Sequence, residues 1–243
     1  MRSMDFKIES CGLSNIGLVR QNNEDFFNSI PNKHFFALAD GMGGHNAGEI
    51  AAYEAVKSMC DQVERADLSL SSEALGQLLR KAVAMTNTHI WQLAFQDPHC
   101  NGMGTTLCCF MIHDESLIYA HVGDSRLYRY RQTLEQLTRD HSLHATLIAQ
   151  GEFEEAENLP NKHVITRALG TTAHVMPDIG ILSTLPNDLY LLCSDGLTDM
   201  VPDEEIASIL SLAPTLQEAA SALLNAALDK GGNDNITVLL VQL

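Results

Sequence analysis

HFFALADGMGG, residues 34–44, runs from an apolar segment directly into an acid and a glycine-rich turn. The six residues 34–39 form a short apolar run, which is typical of a buried strand. Asp40 ends this run, and the turn 41–44 follows it. Apolar residues then recur at helical spacing over 47–63. The stretch therefore predicts a core strand that ends in a carboxylate, followed by a turn and a helix.

Predicted strands and helices outside this stretch are grouped and do not strictly alternate. A second long helix is predicted over 70–95, with Ser71 as its N-cap. Further strands are predicted at 105–113, 117–122, 126–131, 188–193 and 236–241, and further helices at 142–150, 204–210 and 217–228. Such grouping favours the α+β class, with mostly antiparallel sheets packed against helices, over a doubly wound parallel sheet. The chain has no repeat and no clear linker, so residues 1–243 are predicted to form a single domain.

Composition narrows the classes of function. The chain has 15 Lys+Arg against 31 Asp+Glu, a formal charge of −16, and it shows no basic patch. This balance argues against nucleic-acid partners and anionic membrane surfaces, and it suits a protein that gathers divalent cations. The six cysteines include no C-x-x-C pair, which predicts reduced structural thiols. Because no secretory leader or long apolar segment is apparent, we predict a cytoplasmic protein without a membrane span.

Four aspartates lie at the ends of predicted strands. Asp40, Asp124 and Asp195 follow apolar strands, and Asp234 precedes one. Any one of them could be a plain turn residue, because Asp-Gly is a common turn dipeptide. Converging carboxylates would repel one another unless cations lay between them, and Mg²⁺ and Mn²⁺ prefer oxygen ligands. Two such ions about 3.5–4 Å apart can lower the pKa of a shared water. The sequence alone does not show that the four acids converge.

Eight strings of residues are more specific than any single acid. They are GLVRQNNED (17–25), ADGMGGH (39–45), GMGTT (102–106), VGDSR (122–126), DHS (140–142), RALG (167–170), CSDGLTD (193–199) and GNDNIT (232–237). In this order the strings resemble the metal-dependent protein serine/threonine phosphatases of type 2C, the PPM family, in its compact bacterial form. The resemblance covers essentially the whole chain. It implies an α/β/β/α sandwich of two antiparallel sheets flanked by helices.

The resemblance also implies a binuclear Mn²⁺ or Mg²⁺ centre at one end of the sandwich. Asp40 would bridge the two ions, and Gly41 would offer its carbonyl oxygen to the second. Asp195 and Asp234 would hold the first ion. Glu24 and Asp25 would act near the second ion, partly through water.

A third, weaker metal site is implied at Asp124, shared with Asp195. The segment from about 143 to 175 would form a flap beside the active site. Arg20 is the implied phosphate clamp, since a guanidinium can make two parallel hydrogen bonds to phosphate oxygens. An exposed loop arginine in a surface salt bridge is the plainer alternative for this residue.

The sequence departs from the animal-type pattern at the position of the general acid, where those members have a histidine directly after Asp-Gly. Met42 stands at that position here. His45 is one possible substitute, and a metal-bound water, whose acidity the ion raises, is the favoured one. His141 is interpreted as a structural residue near the flap.

The expected reaction is direct attack of a metal-bridging hydroxide on the phosphorus of phosphoserine or phosphothreonine, without a phosphoenzyme. Two alternatives stay open at this point: a catalytically degenerate module that binds phosphoproteins, and a two-metal phosphodiesterase. The resemblance implies phosphorylated proteins as partners, in particular eukaryotic-type Ser/Thr kinases and their substrates, and a monomer is expected. Neither nucleic acid nor membrane is an expected partner.

Overall fold

The computed structural model describes residues 7–42, 47–160 and 164–243. Its strands are β1 (Glu9–Asn15), β2 (Asp25–Ile30), β3 (Phe35–Met42), β4 (Gly104–Thr105), β5 (Leu107–His113), β6 (Ser116–Val122), β7 (Arg126–Arg131), β8 (Thr133–Gln136), β9 (Asp178–Ser183), β10 (Leu189–Cys193) and β11 (Ile236–Gln242). Its α-helices are α1 (Gly48–Glu64), α2 (Ser72–Gln96), α3 (Leu143–Gln150), α4 (Phe153–Glu157), α5 (Asp195–Thr198), α6 (Asp203–Leu212) and α7 (Leu216–Asp229).

The strands form two antiparallel sheets. One sheet has the order β1-β11-β10-β7-β8, and the other has the order β2-β3-β5-β6-β9, with the short β4 paired to β3. Helices α1 and α2 pack on the second sheet, and α5, α6 and α7 pack with strands of the first. The predicted α+β class and the four-layer sandwich are therefore confirmed.

Strand β3 lies between the helical layer and the other sheet, which explains why its residues are apolar on both faces. Phe35, Ala37 and Ala39 pack toward α1 and α2, while Phe36 and Leu38 pack against the other sheet. Successive side chains of a strand point to opposite faces, so a strand between two layers needs apolar residues at every position. Full burial of a Phe or Leu side chain contributes about 1.5–3 kcal/mol, which makes this strand a strong determinant of the sandwich.

The predicted N-cap of α2 is confirmed, and α3 is capped at both ends. Ser71 caps α2 by accepting a hydrogen bond from the Ala74 amide, and Ser142 caps α3 in the same way from Ala145. Gly151 ends α3 with a φ of +83°, a left-handed conformation that glycine adopts without strain. All six cysteines are free thiols, as the sequence predicts.

Four strands were not assigned from the sequence: β1, β2, β8 and β9. Three of these, β1, β8 and β9, are the partly exposed edge strands of their sheets, and β2 is the fourth edge. An edge strand mixes polar and apolar residues, so its identity depends on the strand that it pairs with. Gly43, Gly44 and His45 lie outside the described residues. Within the described ranges, none of the helices combines the length and apolarity that crossing a bilayer requires.

Candidate metal centre

Asp25 and Asp40 are placed side by side by the pairing of β2 with β3. They are directly opposite each other in this antiparallel ladder, so their side chains lie on the same face of the sheet. The Asp40 amide donates to Thr106 Oγ1 at 2.9 Å, and its carbonyl accepts from the Thr106 amide at 2.9 Å and from Thr105 Oγ1 at 2.8 Å. The backbone that carries Asp40 is therefore fixed from both sides.

Four other aspartates lie close enough to Asp40 for their charges to raise its pKa. Burial raises the pKa of Asp40 well above its usual range, and the charges of Asp25, Asp195, Asp124 and Asp234 raise it further. These acids come from β2, the turn after β6, the start of α5 and the loop before β11. The structure thus brings together the strand-end acids whose convergence the sequence could not establish.

Buried carboxylate oxygens in this group lack protein partners. Burial, and then the charges of Asp195 and Asp234, raise the pKa of Asp25 to about 7, although Ser194 Oγ donates to its Oδ2 at 2.7 Å. Burial and the charge of Asp195 raise the pKa of Asp124 to about 8. Among the described atoms, Asp25 Oδ1 and Asp124 Oδ1 are buried without a hydrogen-bond partner. Hard oxygen donors in this state fit divalent cations such as Mg²⁺ or Mn²⁺.

Arg20 lies at the exposed rim of the acidic group. Its Nη2 donates to Asp234 Oδ2 at 2.5 Å, and both side chains are partly exposed. Asp234 Oδ1 accepts from the Asn235 amide at 2.8 Å. Arg20 is thus held in a surface salt bridge, but its partner is a residue of the predicted metal centre.

Asn235 is a site residue that the sequence analysis did not single out. Its Oδ1 accepts from the Glu24 amide at 2.7 Å, and its Nδ2 donates to the carbonyls of Ile16 at 3.0 Å and Asn22 at 2.9 Å. One buried amide therefore fastens the segment that carries Arg20 and Glu24 to the loop that carries Asp234. The only sequence signal was its position inside the string 232–237.

Glu49 is a second residue that the sequence analysis missed. Burial, followed by the charge of Glu49, raises the pKa of Glu24. Glu49 Oε2 is buried and has no hydrogen-bond partner within the described part of the chain. The Glu24 carboxylate packs against Gly48, where an added Cβ would lie 2.3 Å from Glu24 Oε2. An acid in the first turn of α1, just after a glycine-rich loop, was the available signal.

Gly41 allows the backbones of β3 and α1 to approach each other. A Cβ added at Gly41 would lie 2.1 Å from the Gly48 carbonyl oxygen and 2.8 Å from the Glu24 carbonyl oxygen. We expect Gly41→Ala to lower the free energy of unfolding by about 1–3 kcal/mol, because backbone atoms must shift to admit the methyl group. Chemical denaturation would measure this loss, with Gly102→Ala as the control. An added Cβ at Gly102 meets nothing within 4 Å, although its φ of +79° adds some strain. A loss at Gly41 no larger than at Gly102 would contradict this account.

Asp124 and Asp195 also line a cavity of about 180 Å³. Its lining residues are Asp124, Arg126, Asp140, Ser142, His144, Asp195, Thr198 and Asp199. Arg126 makes paired hydrogen bonds to Asp140, with Nη2 to Oδ2 at 2.7 Å, so one wall of the cavity is a partly buried ion pair. The two acids predicted to share a third ion therefore face a common space that is large enough for an ion and its waters.

A family model described as protein phosphatase 2C matches residues 17–231 of the chain. The chain is 40% identical over 232 residues to a serine/threonine phosphatase, stp, of Listeria monocytogenes, and the match covers 93% of this chain and 92% of the relative.

Solved structures agree with this match. A serine/threonine phosphatase of S. agalactiae superposes with a TM-score of 0.90 at 38% identity, covering 97% of this chain and 99% of the other. The catalytic domain of the serine/threonine protein phosphatase PstP, solved in complex with two manganese ions, gives a TM-score of 0.85 at 36% identity, with 97% of both chains covered.

Proposed function

Because this chain belongs to the protein phosphatase 2C family and is a metal-dependent protein serine/threonine phosphatase, we propose that the converging aspartates are its active site. The observation that supports this assignment best is the raised pKa of Asp40, to which four other aspartates contribute. Such a group of carboxylates is destabilising by itself, and bound cations would offset the repulsion.

The proposed metal ligands are those that the family resemblance implies. Two Mn²⁺ or Mg²⁺ ions and a third, weaker ion would be held by Asp40, Gly41, Asp195, Asp234, Glu24, Asp25 and Asp124. In this assignment Asp40, Asp195 and Asp234 would hold the first ion, and Asp40 and the Gly41 carbonyl would hold the second. Glu24 and Asp25 would act near the second ion, and Asp124 and Asp195 would hold the third. The PstP catalytic domain was solved in complex with two manganese ions, which supports two principal metal sites in this proposal.

The chain's own residues bind and orient the phosphate. When bound, the cations supply charge neutralisation and lower the pKa of water at the site, so that water can act as the nucleophile. Thr105 and Thr106 hold the Asp40 backbone rigid, and Ser194 holds one oxygen of Asp25. Arg20 binds the phosphate oxygens. Its salt bridge to Asp234 is partly exposed and is worth about 0–1 kcal/mol, so it can be exchanged for a phosphate.

Arg20→Lys tests the phosphate clamp. Lysine keeps the charge but loses the planar pair of donors, so we expect KM for a phosphothreonine peptide to rise by about tenfold, the equivalent of one charge-assisted hydrogen bond. Steady-state kinetics at saturating Mn²⁺ would measure it. Arg65→Lys, on an exposed residue just after α1, is the matched control and should leave KM unchanged. An unchanged KM in Arg20→Lys would show that Arg20 is only a surface ion-pair residue.

The reaction class is tested by comparing a phosphothreonine peptide with a phosphate bis-ester in the presence of Mn²⁺. We expect rapid hydrolysis of the peptide and little hydrolysis of the bis-ester. Faster cleavage of the bis-ester would indicate the phosphodiesterase alternative, and absence of both activities would indicate the degenerate binding module. The matches to serine/threonine phosphatases favour neither alternative.

Phosphorylated proteins are the substrates of this enzyme class. We extend this to eukaryotic-type Ser/Thr kinases and their targets as partners of a monomeric, cytoplasmic enzyme. We further propose that residues 1–243 form one phosphatase domain and that the segment at about 143–175 acts as a flap. The flap proposal is supported by the lining of the cavity around Asp124, which includes His144 at the start of that segment and Ser142 just before it.

A further inference from the structure

His141 holds the backbone turn that precedes Asp124. The Gly123 amide donates to His141 Nδ1 at 3.1 Å, and the His141 amide donates to the Gly123 carbonyl at 2.8 Å. Gly123 has a φ of +109°, and a Cβ there would lie 2.6 Å from Thr106 Cβ. The turn therefore requires glycine, and one buried histidine holds it through hydrogen bonds to both the amide and the carbonyl of Gly123.

The hydrogen bonds determine where the ring proton of His141 is. A backbone N–H can only donate, so the Nδ1 atom that accepts from Gly123 carries no proton. The proton of the neutral ring is then on Nε2, which lies 3.2 Å from Asp178 Oδ2 and can donate to it. Arg167 Nη1 lies 3.1 Å from both Asp178 Oδ1 and His141 Nε2. Because a guanidinium N–H can only donate and Nε2 carries the ring proton, the hydrogen bond of Arg167 is to Asp178. Burial would raise the pKa of Asp178, but the hydrogen bond from His141 and the charges beside it hold that pKa below its usual range.

The surroundings of His141 also have the composition of a metal site. His121, His141 and Asp178 each place one ligand atom within 4.8 Å of the others. His121 is fully buried opposite Asp178 in the β6–β9 ladder, and its ring centroid is 4.8 Å from that of His141. However, an ion on His141 Nε2 would leave both ring nitrogens without a proton as long as Gly123 donates to Nδ1. Arg167 already supplies the positive charge beside Asp178. The geometry therefore favours a chain of hydrogen bonds from Gly123 through His141 to Asp178 over a bound ion at this place.

The same histidine contacts the segment proposed as the flap. The Thr166 amide donates to the His141 carbonyl at 2.7 Å, and Ser142 forms a β-bridge with Ile165. Arg167 follows directly in the chain and binds Asp178. His141 therefore connects residues 165–167 on one side to the Gly123–Asp124 turn on the other.

We propose that His141 is a positioning residue for Asp124: through its two hydrogen bonds to Gly123 it sets the Asp124 carboxylate for cation binding, and the Asp178–Arg167 pair fixes the orientation of its ring. This inference rests on the proposed role of Asp124 as a ligand of the third ion. Groups that orient a metal ligand typically change metal affinity by about 10–100-fold when they are removed.

A matched pair of substitutions separates the two nitrogens of His141. In His141→Gln the amide reaches toward the former Nε2 position, so the acceptor for Gly123 is lost. In His141→Asn the Oδ1 atom stands near the former Nδ1 position, so the acceptor is retained. We expect His141→Gln to weaken Mn²⁺ binding by about tenfold, both in the Kd from calorimetric titration and in the Mn²⁺ concentration for half-maximal turnover of p-nitrophenyl phosphate. At saturating Mn²⁺, kcat should approach that of the unmodified enzyme. His141→Asn is expected to rescue most of this loss.

Asp178→Asn, at a more exposed position, is a second variant in case His141→Gln does not fold, and it should raise the Mn²⁺ requirement in the same direction. A merely structural role would lower the melting temperature of the Gln and Asn variants alike and leave the Mn²⁺ requirement unchanged, which would overturn the proposal. A zinc-soaked crystal with an ion held by His121, His141 and Asp178 would also overturn it.

Asp124→Asn distinguishes failure of the inference from failure of the proposed function. If Asp124→Asn raises the Mn²⁺ requirement and neither His141→Gln nor Asp178→Asn does, the positioning role is wrong and the third site stands. If Asp124→Asn leaves the Mn²⁺ requirement unchanged, Asp124 is not a ligand and both proposals are wrong.

Discussion

Asp195→Asn is expected to reduce turnover of a phosphothreonine peptide by about 10³-fold or more while the protein stays folded. Loss of a single preorganised electrostatic contact costs about 10²–10³ in kcat in well-studied enzymes, and this substitution removes a full ligand charge shared between two proposed ion sites. The fold should tolerate the change, because asparagine has nearly the same shape and relieves repulsion among the acids. Steady-state kinetics with Mn²⁺, together with circular dichroism, would measure both quantities.

Asp61→Asn is the matched control for this experiment. Asp61 is exposed on α1, so the same change of charge and shape occurs there away from the acidic group. Turnover of this variant should equal that of the unmodified enzyme. Normal turnover in Asp195→Asn would remove Asp195 from the active site.

The metal-free protein is expected to lose stability as the pH rises from 6.5 to 8. Burial and neighbouring charges raise the pKa of Asp25 to about 7 and that of Asp124 to about 8, so the folded protein binds protons that the unfolded chain has already released. Stability falls with pH wherever the folded state binds more protons. Across this window the loss should be on the order of 2 kcal/mol. Thermal unfolding in EDTA would measure it.

The lower limit of this window is set by a group with the opposite effect. Burial and the neighbouring His141 lower the pKa of His121 to about 4, so below its ordinary pKa of 6.5 this residue makes stability rise with pH. Above pH 6.5 the raised carboxylates act without that opposition.

Excess Mn²⁺ at pH 8 should restore the lost stability, by about 2.7 kcal/mol at a hundred times the Kd. In EDTA, Asp124→Asn should be more stable than the unmodified protein at pH 8 and should show a weaker dependence on pH. Stability that rises over the same window in EDTA, or that does not respond to Mn²⁺, would contradict the convergence of these acids around a cation site.

Local patterns in the sequence were sufficient for the core of the sandwich. The apolar runs that became β3, β10 and β11 are buried on both faces, so their hydrophobicity is continuous and easily read. Ser71 caps the start of α2 as predicted, because capping depends on residues within one turn. The edge strands β1, β2, β8 and β9 were missed, because their residues become strands only through pairing with neighbours distant in sequence.

The residues of the candidate site also fall into two groups, those that could be identified from the sequence and those that only the structure revealed. The strings around Asp40, Asp124, Asp195 and Asp234 could be read directly, and they determined the family and the chemistry. The roles of Asn235 and Glu49 depend on contacts between segments far apart in sequence, such as the 2.7 Å hydrogen bond from the Glu24 amide to Asn235.

The sequence by itself determined the family, the reaction class and the acids available to hold cations, because these depend on residue types and their local order. Only the tertiary structure decided that the acids meet, that Arg20 binds Asp234, and that His141 connects residues 165–167 to the turn before Asp124. The physical reason is that repulsion, desolvation and hydrogen bonding depend on distances of a few ångströms between atoms, and chain folding alone sets those distances.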